Sequence, residues 1–259
     1  MVLFATNVSA QSILTRQAPL PCIDRTFTIV AHMVRDSFGE PNITQAEIED
    51  EIERLNENFA PICVDFEVCD FRFLDNFQYD NIDNDDERQE MFDYYNEEFR
   101  INMYFVTSAN TPFCGVTTIE GITSMENPGI AILKGDCIGE GTNSVSHEVG
   151  HYFGLLNTFE GSDSPNPELV DGSNCETTGD LVCDTPADPY VEGDLVDQYV
   201  DEDTDCRFIR QIRDGNGDWF VPDVGNIMSN YQSGCTCGFT HGQYTRMANI
   251  YLSSPRSNW

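Results

Sequence analysis

The sequence predicts an α/β (α+β) fold: a small, mixed, twisted sheet with helices, followed by an irregular C-terminal half held by disulfides. Three observations carry this. Up to residue 154, runs rich in β-branched and aromatic residues are interleaved with amphipathic helical patterns. Beyond residue 157 both periodicities fade, and residues 160–206 carry fifteen Asp or Glu and no Lys or Arg. Ten cysteines accompany a single lysine, Lys134, and no tetrad of paired C-x-x-C spacings marks a structural zinc site.

Taken in order, the run Arg25–Val34 (RTFTIVAHMV) reads as a buried strand. Thr44-Gln45-Ala46-Glu47 is a capping box, and it opens a helix whose apolar positions Ile48, Ile52, Leu55 and Phe59 recur at helical spacing until Pro61 stops it. Residues 63–74 alternate as a second strand, and residues 85–99 form a second, strongly acidic helix. Ile101–Val106 (INMYFV) is a third strand and residues 129–134 (GIAILK) a fourth. A segment led by Asn143, TNSVSHEVGHYFGLL, sets Val145, Val149, Tyr152 and Phe153 on one side of a further helix that ends near Gly154. The chain so divides into an N-terminal lobe, 11–154, and a C-terminal lobe, 155–259, with no internal repeat.

The charge excludes classes of partner. With 13 Lys plus Arg against 45 Asp plus Glu, the formal charge is −32, which leaves no basic footprint for nucleic acid or for an anionic membrane. No run of about 18 apolar residues exists to span a bilayer. At 40 % hydrophobic and 11 % aromatic, the chain can bury a core despite its charge. Residues 1–10 (MVLFATNVSA) read as the remnant of a secretory signal with cleavage before Gln11, and the short stretch from there to the first strand leaves no room for a large pro-segment. The cysteines then read as mostly disulfides, and the protein as secreted.

Two of only four histidines fall in the string His147-Glu148-Val149-Gly150-His151. On a helix, residues four apart share a face, so both imidazoles can reach one zinc ion, with Glu148 beside it. Zinc activates a water, and the carboxylate takes its proton as general base and returns it to the leaving amine as general acid. His32 lies inside a strand and reads as a core histidine. His241 stands at a helix start as a lesser candidate ligand.

Gly154 follows His151 by three residues, and the extended zinc-protease pattern H-E-x-x-H-x-x-G-x-x-H uses that glycine to turn the chain toward a third ligand. Here the third position is Asn157, whose amide oxygen is a neutral, weaker ligand than imidazole. The blocks HEVGHYFGLLNTFEG, GDLVCDTPAD (179–188), NIMSNY (226–231) and FTHGQYTRM (239–247) together resemble the pappalysin-type metzincin zinc proteases over residues 25–250. The resemblance implies a two-lobed catalytic domain with His147, His151 and Asn157 on zinc, and Met228 as the supporting residue of the Met-turn. It further implies Tyr231 as a catalytic tyrosine, three residues past that Met where family members have it at two; Asn230 fills the nearer place. It also implies a calcium loop with Asp180 through its carboxylate, Gly179 and Cys183 through backbone oxygens, and Thr185 through its hydroxyl or carbonyl. A second D-x-N-x-D run, Asp214 to Asp218, reads as a tight turn.

The expected function is a secreted zinc endopeptidase acting on peptide or protein substrates, paired along the strand 129–134 by β-augmentation. The alternative, motivated by Asn157, is a weakened or inactive relative, natural or engineered, that keeps the fold and binds peptides or partners.

Overall fold

The computed structural model describes residues 17–254 apart from 125, 202–205 and 232; the signal remnant at 1–10 lies outside them. Strands β1 (Arg25–Val34), β2 (Val64–Leu74), β3 (Ile101–Val106), β4 (Gly115–Thr117) and β5 (Ile130–Leu133) form one sheet in the order β2-β1-β3-β5-β4. The first three and β5 run parallel, and β4 alone is antiparallel to its neighbour β5. The predicted fourth strand is therefore a fifth, and it lies inside the sheet with both sides paired. This corrects the expected substrate edge: the open edge beside β5 is β4, a three-residue strand with no local signature.

Alternation along the strands builds a core on each face. Ile29, Ala31 and Met33 of β1, Met103 and Phe105 of β3, and Ile130 and Ile132 of β5 face helices α1 (Gln45–Phe59) and α3 (Ser144–Tyr152). Val34, Tyr104, Val106 and Ala131 face Met91 and Phe92 of α2 (Asp85–Tyr95). Phe59, fully buried, meets the rings of Phe66, Phe153 and Phe239 at 5.3–5.6 Å. The predicted capping box at Thr44 is present. The acidic helix ends at Tyr95, earlier than residue 99, because Asn102 Oδ1 takes the Glu97 N–H and Asn102 Nδ2 donates to Asn96 Oδ1, which pins a turn there. Lys134 is buried and donates to Asp80 Oδ1 (2.7 Å) and Val34 O (2.5 Å), tying β1 to the segment after β5. His32 stacks on Tyr104, as a core histidine should.

Among its described residues the C-terminal half is irregular apart from two single-turn 3-10 helices, Val196–Gln198 and Ser233–Cys235, a two-residue ladder, β6 (Val200–Asp201) with β7 (Arg207–Phe208), and α4 (His241–Ser253). Tyr244, Met247, Ala248 and Tyr251 of α4 join the main core. The rest has its own aromatic cluster, including Phe159, Tyr190, Tyr199 and Tyr231. Its acidic residues form turns: carboxylates of Asp171, Asp180, Asp188, Asp214 and Asp223 each accept the backbone N–H two residues on. Asp214 also accepts from Asp218, so the D-x-N-x-D run is a turn closed on itself. Eight cysteines pair as Cys22–Cys63, Cys114–Cys137, Cys175–Cys183 and Cys206–Cys235, leaving Cys69 and Cys237 free. Among the described residues no helix is long and apolar enough to cross a membrane.

Candidate metal centre and active-site cleft

Helix α3 is short, and its neighbours hold it. Asn58 of α1 donates to Asn143 Oδ1 (3.0 Å) and Ser146 Oγ (2.9 Å) at the helix start, while Asn143 Nδ2 donates to Thr236 O (3.0 Å). Glu51, buried on α1, accepts from Gly139 N and Thr142 Oγ1 in the loop leading in. The helix ends in a Schellman motif: Leu155 N bonds Gly150 O and Gly154 N bonds His151 O, with Gly154 at φ +88°. A side chain at Gly154 would also strike Ile250 and come within 2.9 Å of Glu120, so the glycine is needed for both turn and packing.

The two imidazoles are fixed by carbonyls. His147 Nδ1 lies 2.7 Å from Ile227 O and His151 Nδ1 lies 2.8 Å from Leu155 O. A carbonyl only accepts, so each Nδ1 carries the proton and each Nε2 keeps a free lone pair. The rings stand nearly perpendicular with centroids 4.8 Å apart. Burial holds both imidazoles neutral, pushing His147 down to about 3 and His151 down as well. The Gly154 turn brings the Asn157 side chain beside them, and its Oδ1 is buried with no partner. Two imidazole nitrogens and an amide oxygen able to turn toward them are a donor set zinc accepts, with room for a fourth ligand.

Glu148 lies against the edge strand. Thr117 Oγ1 donates to Glu148 Oε2, and Gly115 leaves space for the carboxylate stem, since a Cβ there would come 2.6 Å from Glu148 Cγ. Burial raises the Glu148 carboxyl to about 7, opposed by the Thr117 bond. Sequence reasoning missed both β4 residues, for their contact with Glu148 exists only once β4 pairs with β5.

Met228 is fully buried beneath the helix, and a side chain at Gly150 would meet its Sδ at 2.6 Å. Asn226 Oδ1 takes the Met228 N–H, and the Asn226 and Gln243 amides pair reciprocally, which fixes this turn. Tyr231 helps line a cleft of about 280 Å³ together with Phe113, His147, Glu148, Ile227 and Asn230. Its hydroxyl is donated to Asp188 Oδ1 (2.6 Å), a buried carboxylate that also takes the Thr158 hydroxyl. The structure thus ties the Tyr231 hydroxyl into the cleft wall. His241 sits apart, with Nε2 on Ala18 O.

In the predicted calcium loop, Asp180 is buried; Oδ1 accepts Val182 N, and Oδ2 has no partner. Thr185 Oγ1 donates to Val182 O, Cys183 is tied to Cys175, and Gly179 (φ +70°) packs directly on the Glu168 carboxylate. Burial raises Asp180 to about 6 and Glu168 to about 7, and the two carboxylates repel. Glu168 was not foreseen, because only the tertiary fold carries it to a residue twelve positions away. Among the described residues no three or more His, Cys, Asp and Glu side chains converge as a complete metal cage.

A helix offering two anchored imidazoles and a buried carboxylate over a methionine turn, beside an open sheet edge, defines a metal-dependent peptidase. Residues 106–251 match the peptidase M43 family, described as pregnancy-associated plasma protein-A. An extracellular metalloprotease of Colletotrichum graminicola (strain M1.001 / M2 / FGSC 10212) is 27% identical over 256 residues, covering 92% of this chain and 79% of that protein. Extracellular metalloprotease 1 of Coccidioides posadasii (strain C735) is 24% identical, covering 91% and 78%. The solved structure of mirolysin in complex with compound 9 shares the fold, with TM-score 0.57 at 18% identity, over 89% of this chain and 94% of that one. The chain belongs to the pappalysin (M43) family of metzincins, and it is an extracellular metalloendopeptidase of that type.

Proposed function

We propose that the chain hydrolyses peptide bonds with zinc held by His147 Nε2, His151 Nε2 and Asn157 Oδ1. Bound there, zinc would supply Lewis-acid polarisation of the carbonyl and activation of water near neutral pH. The chain's own residues do the rest. Glu148, raised toward neutrality by burial, takes a proton from the attacking water and returns it to the departing amine. Thr117 holds Oε2 of that carboxylate and leaves Oε1 for the proton. An extended substrate adds to the open side of β4, which brings its backbone past Glu148. The acidic balance favours basic or neutral peptides in a broad electrostatic sense. Calcium bound at Asp180, with Glu168 and the oxygens of Gly179, Cys183 and Thr185 around it, would neutralise carboxylates that otherwise lie buried and mutually repelling.

The observation that carries the reading is the fixing of both Nδ1 atoms on backbone carbonyls, which presents two Nε2 lone pairs beside one buried carboxylate. The test is cleavage of a denatured protein by zinc-saturated enzyme. Glu148→Ala should lose roughly 100-fold to 10,000-fold in rate with zinc still bound. A Glu148→Ala variant as active as the parent would refute the assignment.

A further inference from the structure

We propose that the cleft carries a subsite for an uncharged amide side chain, glutamine or asparagine, next to the scissile bond, with the Ser144 hydroxyl as its specificity-determining donor. The inference rests on the reading of this cleft as the peptide-cleaving site and deepens it, by naming the side chain that the cleft selects.

Ser144, His147 and Glu148 all line the cleft and share one face of α3, where residues three and four apart are neighbours. The pocket therefore starts at the Glu148 carboxylate and runs one helical turn, about 6 Å, toward the start of the helix. Phe113 and Ile227 give it apolar walls. Its far end is polar and closed: Asn143 Nδ2 donates to Thr236 O and Thr236 Oγ1 at 3.0 Å each, while Asn58 Nδ2 holds Asn143 Oδ1. Ser144 differs from these partners. It is only 8% exposed, it lines the cleft, and its hydroxyl bonds to no other described residue. A buried hydroxyl in that condition costs stability until something accepts its proton. Ser144 is also the first residue of α3, and the Asn143 side chain does not cap that end, so the unpaired N–H groups of the first turn leave a partial positive charge there.

These groups sort side chains by class. A lysine or arginine would bring its cation to the positive end of the helix, and among the described residues lining the cleft the only carboxylate is Glu148, which is committed to the reacting water. A glutamate or aspartate suits the helix end but lies one turn from Glu148, which must itself be ionised to act as a base, and the two charges repel. An aliphatic side chain fills the walls and leaves the Ser144 hydroxyl unpaired. A neutral amide meets every condition. Its stem packs on Phe113 and Ile227, its oxygen accepts the Ser144 proton at the helix start, and it brings no charge beside Glu148. The net charge of −32 gathers cationic peptides around the molecule as a whole, and selection at this one position is a separate preference.

The test is a series of short fluorescent peptides that carry Gln, Glu, Lys or Met, side chains of similar length, at one or the other residue flanking the scissile bond. At one of the two positions kcat/KM should be highest for Gln, with Glu and Lys each lower by roughly 10-fold or more. Met should be lower by about 3–10-fold, the worth of one hydrogen bond, and in Ser144→Ala the Gln-to-Met ratio should fall to about 1. The series on the parent needs no variant to fold. Affinities of the same peptides for the parent at pH 8 in a zinc-selective chelator, read by fluorescence anisotropy where no bond is cut, should follow the same order. A parent that cleaves none of the peptides would count against the proposed reaction, and the affinities would still decide the subsite. Lys or Glu peptides cleaved or bound as well as Gln at both positions, or a Gln-to-Met ratio unchanged in Ser144→Ala, would overturn the proposal.

Discussion

Residues 17–154 and residues 155–240 are of comparable purpose and unlike construction. The first region is held by alternation: every second residue of β1, β3 and β5 goes to one of two apolar clusters, and helices close both faces. The second lacks enough apolar periodicity for that. It uses one small aromatic cluster, two disulfides and a series of aspartates that each fold the chain over the amide two residues on. The difference teaches what acidic residues do here. In the irregular region much of the carboxylate is structural, forming turns that elsewhere a strand ladder would make unnecessary.

The proposed centre draws on both regions. The regular half supplies His147, Glu148 and His151 on α3 and Thr117 on β4; the irregular half supplies Asn157, the carbonyl of Ile227 and the Met228 support.

The comparison can be broken in four ways, from the largest expected effect. Phe59→Ala removes a ring packed on Phe66, Phe153 and Phe239, and should cost about 3–5 kcal/mol in denaturant unfolding. A loss under about 1 kcal/mol would mean that packing does not carry the regular half. Replacing Cys206 and Cys235 by serine opens a 29-residue separation and should cost about 3 kcal/mol. Hydrogen exchange should rise across residues 155–240 while β1 and β3 stay protected; uniform loosening would show the two regions to be one cooperative unit.

Acid should then act on the two regions with opposite sign. His32 is lowered from 6.5 to about 4, chiefly by burial, so the unfolded chain binds more protons between those values. Its contribution, at most about 3 kcal/mol, is present above pH 6.5 and is lost as pH falls toward 4. Asp180, raised from 3.8 to about 6, and Glu168, raised from 4.5 to about 7, bind more protons when folded. Without calcium their cost is present above those raised values and relieved as pH falls through them. Melting curves against pH in chelator should steepen on the acid side for Asp180→Asn and flatten for His32→Phe. Saturating calcium should raise the melting temperature more at pH 8 than at pH 5, and an unchanged melting curve in chelator would remove the calcium assignment.

The smallest effect concerns the helix that joins the regions. Thr240 caps α4 through Gln243 N and also donates to Asp184 beside the acidic loop, so Thr240→Ala should cost about 1 kcal/mol in denaturant unfolding.

Legibility in the sequence followed the same division. Arg25–Val34 and the α1 pattern were readable residue by residue because local propensity and burial agree there. The HEVGH helix was readable because its chemistry needs a fixed spacing. Gly115–Thr117 was not, since three residues of strand are defined by pairing with β5 and by nothing local. Glu168 escaped for a related reason, as its proximity to Asp180 is a product of turns. The role expected of Tyr231 came from its place near Met228, and motif position says nothing about the buried Asp188 that takes its hydroxyl.

The buried Lys134 has a practical corollary. It is the only lysine in the sequence, and its ammonium is enclosed by Asp80 and the Val34 carbonyl with the side chain 4% exposed. Amine-directed labels and cross-linkers therefore find no lysine handle on the folded molecule. Reaction at Lys134 would instead report that the end of the sheet has opened, which makes this one side chain a built-in chemical probe of unfolding.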